Sequence, residues 1–193
     1  DAEIDPLNTF MRLNKISPTP FSTYLKLGGH YIISATPERF LSRRGLKLIS
    51  QPIKGTSARH SDRLKDEDQK RSLQADEKEL AENVMIVDLV RNDLTKSAKP
   101  GTVQVEELFG IYSFKQVHQL ISTVVCERRD GLSNTQIISN TFPIGSMTGA
   151  PKISAMKLAE YYEKSKRGVY SGAVGYFDPN GDFDFNVIIR TLL

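Results

Sequence analysis

Tryptophan is absent, cysteine occurs once and histidine three times in the 193 residues, and each scarcity removes support for a class of chemistry. The lone Cys126 cannot close an intrachain disulfide. No Cys-x-x-Cys, His-Glu-x-x-His or Gly-x-Gly-x-x-Gly pattern occurs, so disulfide scaffolds, thiol redox motifs, zinc sites and dinucleotide loops are unsupported. His30, His60 and His118 are scattered rather than spaced as metal ligands. An apolar run of about 20 residues and a signal-like hydrophobic segment are both missing, which predicts a cytoplasmic protein without a membrane span. A charge excess is missing too: 26 basic and 23 acidic residues leave +3, with no Lys/Arg block, which argues against a nucleic-acid groove or a polybasic membrane patch.

The apolar fraction of 39% and charged fraction of 25% are those of an ordinary globular chain, and the length suits one domain or a piece of a larger one. A short helix around Phe10 to Leu13 should end before Pro18 and Pro20. Strands are expected at Tyr31 to Ser34, Leu46 to Ile49, Thr102 to Glu106 and Val117 to Cys126. Charged Ser57 to Asp76 reads as a solvated loop or surface helix. Ala75 to Leu94 has a helical pattern that predicts Leu80, Val84 and Val87 on a core face. Short helices are expected over Thr135 to Asn140 and after Pro151, where Ile153, Met156 and Ala159 should line one side. A hairpin of Val169–Phe177 and Phe183–Leu192 is expected around Asp178-Pro179-Asn180-Gly181. The class is α+β, with layered antiparallel sheets and flanking helices. The sequence stops inside the last strand, as a fragment would.

Several residues suit chemistry, each with a plainer alternative. Glu79 and Glu82 share one helix face, compatible with two oxygen ligands for Mg²⁺ or with a solvated pair in which Lys78 partners Glu82. Arg190, on a strand face with Asn186, Ile188 and Leu192, needs an anion, either a structural carboxylate or that of a substrate. Gly145-Ser146-Met147-Thr148-Gly149 precedes a helix and suits either carboxylate binding or ordinary N-capping. Lys54, beside Gly55, is either an exposed amine or, if desolvated, a nucleophile. Glu38 and His118 are candidate proton donors to a leaving group, although a lone histidine on such a face is more often a satisfied core residue.

In order along the chain, Ser34-Ala35-Thr36-Pro37-Glu38-Arg39-Phe40, Pro52-Ile53-Lys54-Gly55-Thr56, Asp76 to Asn83 running into Ile86 to Leu94, Val117-His118-Gln119-Leu120, Phe142 to Lys152, Tyr170 to Tyr176 and Ile188-Ile189-Arg190-Thr191 resemble the chorismate-utilising enzymes. That family includes the anthranilate, aminodeoxychorismate, isochorismate and salicylate synthases. The resemblance implies that Glu79 and Glu82 help hold Mg²⁺ against the ring carboxylate of chorismate. It further implies that Tyr170 and Arg190 hold the enolpyruvyl carboxylate, and that Gly55, Thr56 and the Ser146, Thr148 and Gly149 loop close around the substrate. Glu38 and His118 match positions near the C4 hydroxyl that must leave.

Pro-Ile-Lys-Gly-Thr is similar to the aminodeoxychorismate branch, because anthranilate synthases typically carry alanine where Lys54 stands. The implied chemistry is attack of Lys54 at C2, displacement by ammonia from a glutaminase subunit, and 4-amino-4-deoxychorismate for p-aminobenzoate and folate. The alternatives are an anthranilate synthase large subunit and a non-catalytic chorismate-binding fragment. Residues 1–193 then form the central part of one chorismate-binding domain, without the family's upstream strand motif, its Gly-Ala-Gly-Ile segment and its downstream metal-binding glutamates. The expected outcome is that the 193 residues alone do not turn over chorismate, checked by assaying the purified chain with Mg²⁺ and ammonium; steady product formation would show the opposite.

Overall fold

The computed structural model describes residues 4–193. Its helices begin where the sequence supplies a side-chain cap. Asp5 accepts hydrogen bonds from the Leu7 and Asn8 N–H groups at 3.0 and 3.1 Å to open α1 (Pro6–Ile16), with Pro6 in the first turn. Asp62 and Asp76 do the same for α2 (Arg63–Gln74) and α3 (Glu77–Thr95). Ser133 and Gln136 form a reciprocal capping box at α4 (Asn134–Thr141), whereas α5 (Lys152–Tyr162) follows Pro151 with no side-chain cap.

Among the described residues ten strands complete the α+β fold: β1 (Phe21–Leu27), β2 (His30–Thr36), β3 (Arg39–Arg44), β4 (Lys47–Gln51), β5 (Ile53–Ala58), β6 (Gln104–Ser113), β7 (Val117–Glu127), β8 (Gly175–Phe177), β9 (Phe183–Asn186) and β10 (Thr191–Leu192). A small sheet has the order β1-β2-β10. The large one runs β5-β7-β4-β3-β9-β8, with β6 also on β7, and all the pairings are antiparallel. β7 is its axis. One edge pairs with β6, and the other is shared by β4 (Leu48 opposite Cys126) and β5 (Ile53 opposite Ile121), which are one strand line broken at Pro52.

The core lies where α3 and α4 cover the large sheet. Ile86, Val87, Val90, Leu94 and Ile137 pack with Phe40, Leu41, Leu48, Val124 and Phe183, each buried side chain contributing about 1.5–3 kcal/mol. The expected α3 face is therefore rotated: Val87 is buried, but Leu80 is half-buried and Val84 exposed, because the inward stripe also carries polar Asn83. Along α5 no residue is buried and Ile153 and Met156 are exposed, so its apolar spacing does not mark a core face in this chain. Charged residues 57–76 resolve into the end of β5 and α2. β6 starts at Gln104 and runs on to Ser113. The final hairpin is shorter than its β-rich composition predicts: Tyr170 sits in a turn and β8 starts only at Gly175.

Asn83 joins the helical layer to the sheet. Its Nδ2 donates to the Lys54 carbonyl at 3.2 Å and its Oδ1 accepts from Ser122 Oγ at 2.6 Å, at a residue only 1% exposed. Asn83→Ala would leave the buried Ser122 hydroxyl, which still accepts the Phe109 N–H, without an acceptor for its own proton, and would remove the donor to the half-buried Lys54 carbonyl, so it is expected to destabilise the protein by about 2–3 kcal/mol. The midpoint temperature should fall by roughly 5–10 °C. Urea and thermal unfolding check this; an unchanged midpoint would refute the tie.

Candidate active site

Glu38 lies in the short link between β2 and β3, where its carbonyl accepts the Val187 N–H at 3.1 Å. The side chain is buried, and Ser146 Oγ donates to its Oε1 at 2.6 Å. Burial pushes the carboxyl up to about 7 from an ordinary 4.5. The Ser146 hydroxyl, the Ile53 N–H and the positive charges of Lys54 and Arg190 pull the other way without overcoming that desolvation. A carboxyl poised near neutrality can donate a proton or receive one.

Lys54 is placed by a bulge in β5. Pairing shifts by one residue between Ile53 and Thr56, and Lys54 Nζ comes to 3.2 Å from Glu82 Oε2 on α3. Gly55 occupies the bulge at φ +96°, where an added Cβ would lie 2.8 Å from Leu120, so the backbone there requires glycine. Thr56, next in line, is exposed.

Arg190 does not lie on a strand. It occupies the break between β9 and β10 at φ +51°, exposed, with its carbonyl accepting the Ala35 N–H at 3.2 Å. The alternation that puts it on a face with Asn186, Ile188 and Leu192 fails because the chain turns through the left-handed region there. Its charge nevertheless reaches Glu38. Ser171, at φ +70°, is a second non-glycine left-handed residue nearby in the fold, its N–H bonded to the Ile188 carbonyl at 3.0 Å. Such backbone costs of order 1–3 kcal/mol and persists where the surroundings over-determine it.

The loop carrying Ser146, Thr148 and Gly149 is held from behind. Lys152 Nζ sits 2.7 Å from Asp93 Oδ2 and 3.3 Å from the Thr141 carbonyl, fixing the start of α5 on α3 and α4. Thr148 and Tyr170 face one groove of about 530 Å³, also lined by Met147, Ala155 and Arg167, a size suited to a small ligand. Arg167 closes one side by donating to the Met147 carbonyl at 2.8 Å.

Glu79 and Glu82 lie on the first turns of α3, and Glu82 is shared between Lys54 and Lys78, the latter at 3.9 Å. Among the described residues no group of three or more metal-ligating side chains converges. Two carboxylates fit part of a Mg²⁺ shell, an ion that commonly takes one or two protein carboxylates with water and substrate oxygens.

His118 lies elsewhere. It is fully enclosed in β7, with Nε2 3.0 Å from Asp66 Oδ1 and Nδ1 2.8 Å from Ser113 Oγ. The Arg59 guanidinium, together with the His60 N–H and His118, holds the Asp66 carboxyl well below the usual carboxylate range. Both ring nitrogens are thus engaged in locking α2 to the sheet, and the structure does not bring His118 to Glu38 as a second proton donor. Sequence reasoning missed Asp66 and Asn83. Both are polar residues in helical patterns whose partners lie 52 and 39 positions away.

A family model described as chorismate binding enzyme matches residues 1–193. The chain is 42% identical over 195 residues to an aminodeoxychorismate synthase of Streptomyces griseus, covering 100% of this chain and 27% of that protein. It is 40% identical over 190 residues to aminodeoxychorismate synthase component 1 of Salmonella typhimurium, covering 98% of this chain and 42% of the relative. The crystal structure of anthranilate synthase component I from Streptococcus pneumoniae superposes with a TM-score of 0.88 at 33% identity, over 98% of this chain and 42% of that one. The chain therefore spans less than half the length of these relatives.

The Glu38 environment has a measurable sign. Between pH 4.5 and 7 the folded protein keeps a proton that the unfolded chain has lost, so stability falls as pH rises through that window and levels off above it. The full difference is ~3 kcal/mol. Glu38→Gln should abolish this slope, making the variant the more stable at pH 8 relative to its standing at pH 4. Urea unfolding across pH checks it; an unchanged slope would refute the assignment.

Proposed function

The chain belongs to the chorismate-binding enzyme family, and from that premise we propose that residues 1–193 are the central part of one chorismate-binding domain of an aminodeoxychorismate synthase component I. The observation that carries this reading is the placing of Lys54, the residue that marks the aminodeoxychorismate branch, 3.2 Å from Glu82 with its charge acting on the buried Glu38 carboxyl. Relatives bearing that name match nearly the whole chain.

In this reading the Lys54 amine attacks C2 of chorismate, the ring double bond shifts, and the C4–O bond breaks. Glu38 gives its proton to the departing hydroxyl, which leaves as water; without that proton the leaving group would be hydroxide. Ammonia then bonds to C4 as the C2–N bond to Lys54 breaks, returning the amine and yielding 4-amino-4-deoxychorismate. Arg190 and Tyr170 bind the enolpyruvyl carboxylate, and the loop of Ser146, Thr148 and Gly149 with Gly55 and Thr56 encloses the ring. Glu79 and Glu82 would hold Mg²⁺, which supplies charge neutralisation at the ring carboxylate when bound. The ammonia source is a glutamine amidotransferase component, a reading in keeping with the Salmonella typhimurium relative's being named component 1, and the product serves p-aminobenzoate and folate synthesis. Among the described residues no helix is long and apolar enough to cross a membrane.

A second reading, anthranilate synthase component I, is favoured by the likeness to the Streptococcus pneumoniae structure. Intact-mass measurement of the full-length protein with chorismate and no ammonia separates the two. The expected result is an adduct of chorismate less one water, absent from Lys54→Ala. An adduct that persists in the variant removes Lys54 from the reaction, and release of fluorescent anthranilate on adding ammonia favours the second reading.

A further inference from the structure

Every guanidinium nitrogen of Arg167 is engaged. Nε donates to Glu163 Oε2 at 2.8 Å, Nη2 donates to Glu163 Oε1, and Nη1 donates to the Met147 carbonyl at 2.8 Å and to Ser171 Oγ at 3.3 Å. Glu163 caps the end of α5, one helical turn before the arginine, and the fork of hydrogen bonds holds its carboxyl below the usual value. The arginine's charge is therefore neutralised where it stands. A guanidinium so committed has little left for a substrate carboxylate, but it can hold separate segments together.

The segments it joins are the two walls of the groove that Thr148 and Tyr170 face. On one wall, the Met147 carbonyl is held by Arg167 and the next N–H, of Thr148, donates to the Gly145 carbonyl at 3.2 Å, so that peptide is fixed from both sides. On the other wall, the Tyr170 N–H donates to the Arg167 carbonyl at 3.1 Å and the Gly172 N–H to the Val169 carbonyl at 3.0 Å, which makes residues 167–172 two overlapping turns. Ser171 sits in them at φ +70°, a conformation kept only where the surroundings impose it. Here Arg167 takes its hydroxyl, while Ile188 accepts the Ser171 N–H at 3.0 Å and donates to the Gly172 carbonyl at 2.8 Å, two residues before Arg190. Among the described residues no other hydrogen bond joins residues 145–149 to residues 167–172.

Tyr170 is exposed, so apolar burial does not fix its turn. We propose that Arg167 is a positioning residue, a latch that sets the width of the groove between Thr148 and Tyr170 and acts on substrate binding through Tyr170. This rests on the chorismate reading above and adds to it what holds the Tyr170 side of the site. Without the latch the turn samples other arrangements, and the affinity for substrate falls in proportion to the fraction left competent. Lysine cannot replace it: a single ammonium has no planar fork with which to grip Glu163 while reaching Met147 and Ser171.

Steady-state kinetics of the full-length protein with chorismate, Mg²⁺ and ammonium test this. Arg167→Gln is expected to raise KM for chorismate about tenfold while kcat stays within about twofold, because bound substrate restores the competent arrangement. Arg167→Lys should match it. A KM restored by lysine would mean that charge alone matters there, and overturns the latch. Glu163→Gln, which loosens the fork and leaves the arginine in place, should raise KM in the same direction by about threefold; no rise also overturns it. In a Tyr170→Phe background, Arg167→Gln should add about threefold or less, since the group it positions has lost its hydroxyl. A full tenfold in that background overturns action through Tyr170. A lower melting temperature with KM unchanged makes Arg167 structural only, which overturns the inference and leaves the substrate reading intact. Absence of saturable chorismate turnover in the protein that retains Arg167 removes the substrate reading, and this inference with it.

Discussion

Everything at the candidate site depends on how α3 is held against the break in the strand line at Pro52. That line pairs with β7 on both sides of the proline, and the Asn83 amide bridges it by bonding the Lys54 carbonyl and Ser122 at once. The tie fixes the height of α3 above the sheet and its rotation about its own axis. Glu82, one residue before Asn83, is thereby brought to the Lys54 amine. A purely apolar contact could slide by part of a turn, whereas two directional hydrogen bonds with buried partners cannot do so without leaving polar groups unpaired.

Around this tie, charge is managed differently at two places. Glu38 is buried with a hydroxyl, a backbone N–H and two positive charges near it, none strong enough to offset the lost hydration, and its proton affinity rises. Asp66 accepts from a guanidinium, a backbone N–H and an imidazole, and its proton affinity falls. The same functional group therefore serves as a proton-exchanging site at one place and as a fixed anion that anchors α2 at the other. The difference lies in desolvation, which dominates at Glu38, and in the charged donor within hydrogen-bond reach, which dominates at Asp66.

Much of the scaffold was legible in the sequence because its determinants are local. Asp5, Asp76 and Ser133 cap helices close to the stretches the sequence marks as helical, Asp62 caps the helix in the stretch that reads as a solvated loop or surface helix, and Pro18 and Pro20 follow the end of the first. Where a determinant is distant, the reading failed. Val84 fits a helical stripe but faces solvent, because the sheet meets α3 on the side of Asn83, Ile86 and Val87. Arg190 fits a strand alternation but sits at a left-handed corner just before β10 pairs with β2. In Val-His-Gln-Leu the two polar neighbours could not be told apart from sequence, since period-two alternation says only that they face opposite ways. The tertiary fold gave His118 to Asp66 and left Gln119 unpaired.

The sequence by itself determined the α+β class, the antiparallel strands, the family resemblance and the identities of the groups able to do chemistry, since these follow from residue types and short-range spacing. Only the tertiary structure decided which of those groups meet: Lys54 with Glu82 and Glu38 with Ser146, the latter 108 positions apart in the chain. It also decided that His118 bonds Asp66 and Ser113 rather than meeting Glu38. The physical reason is that proton affinity and hydrogen-bond satisfaction are set by desolvation and by donors from distant segments, and neither exists until the layers have packed.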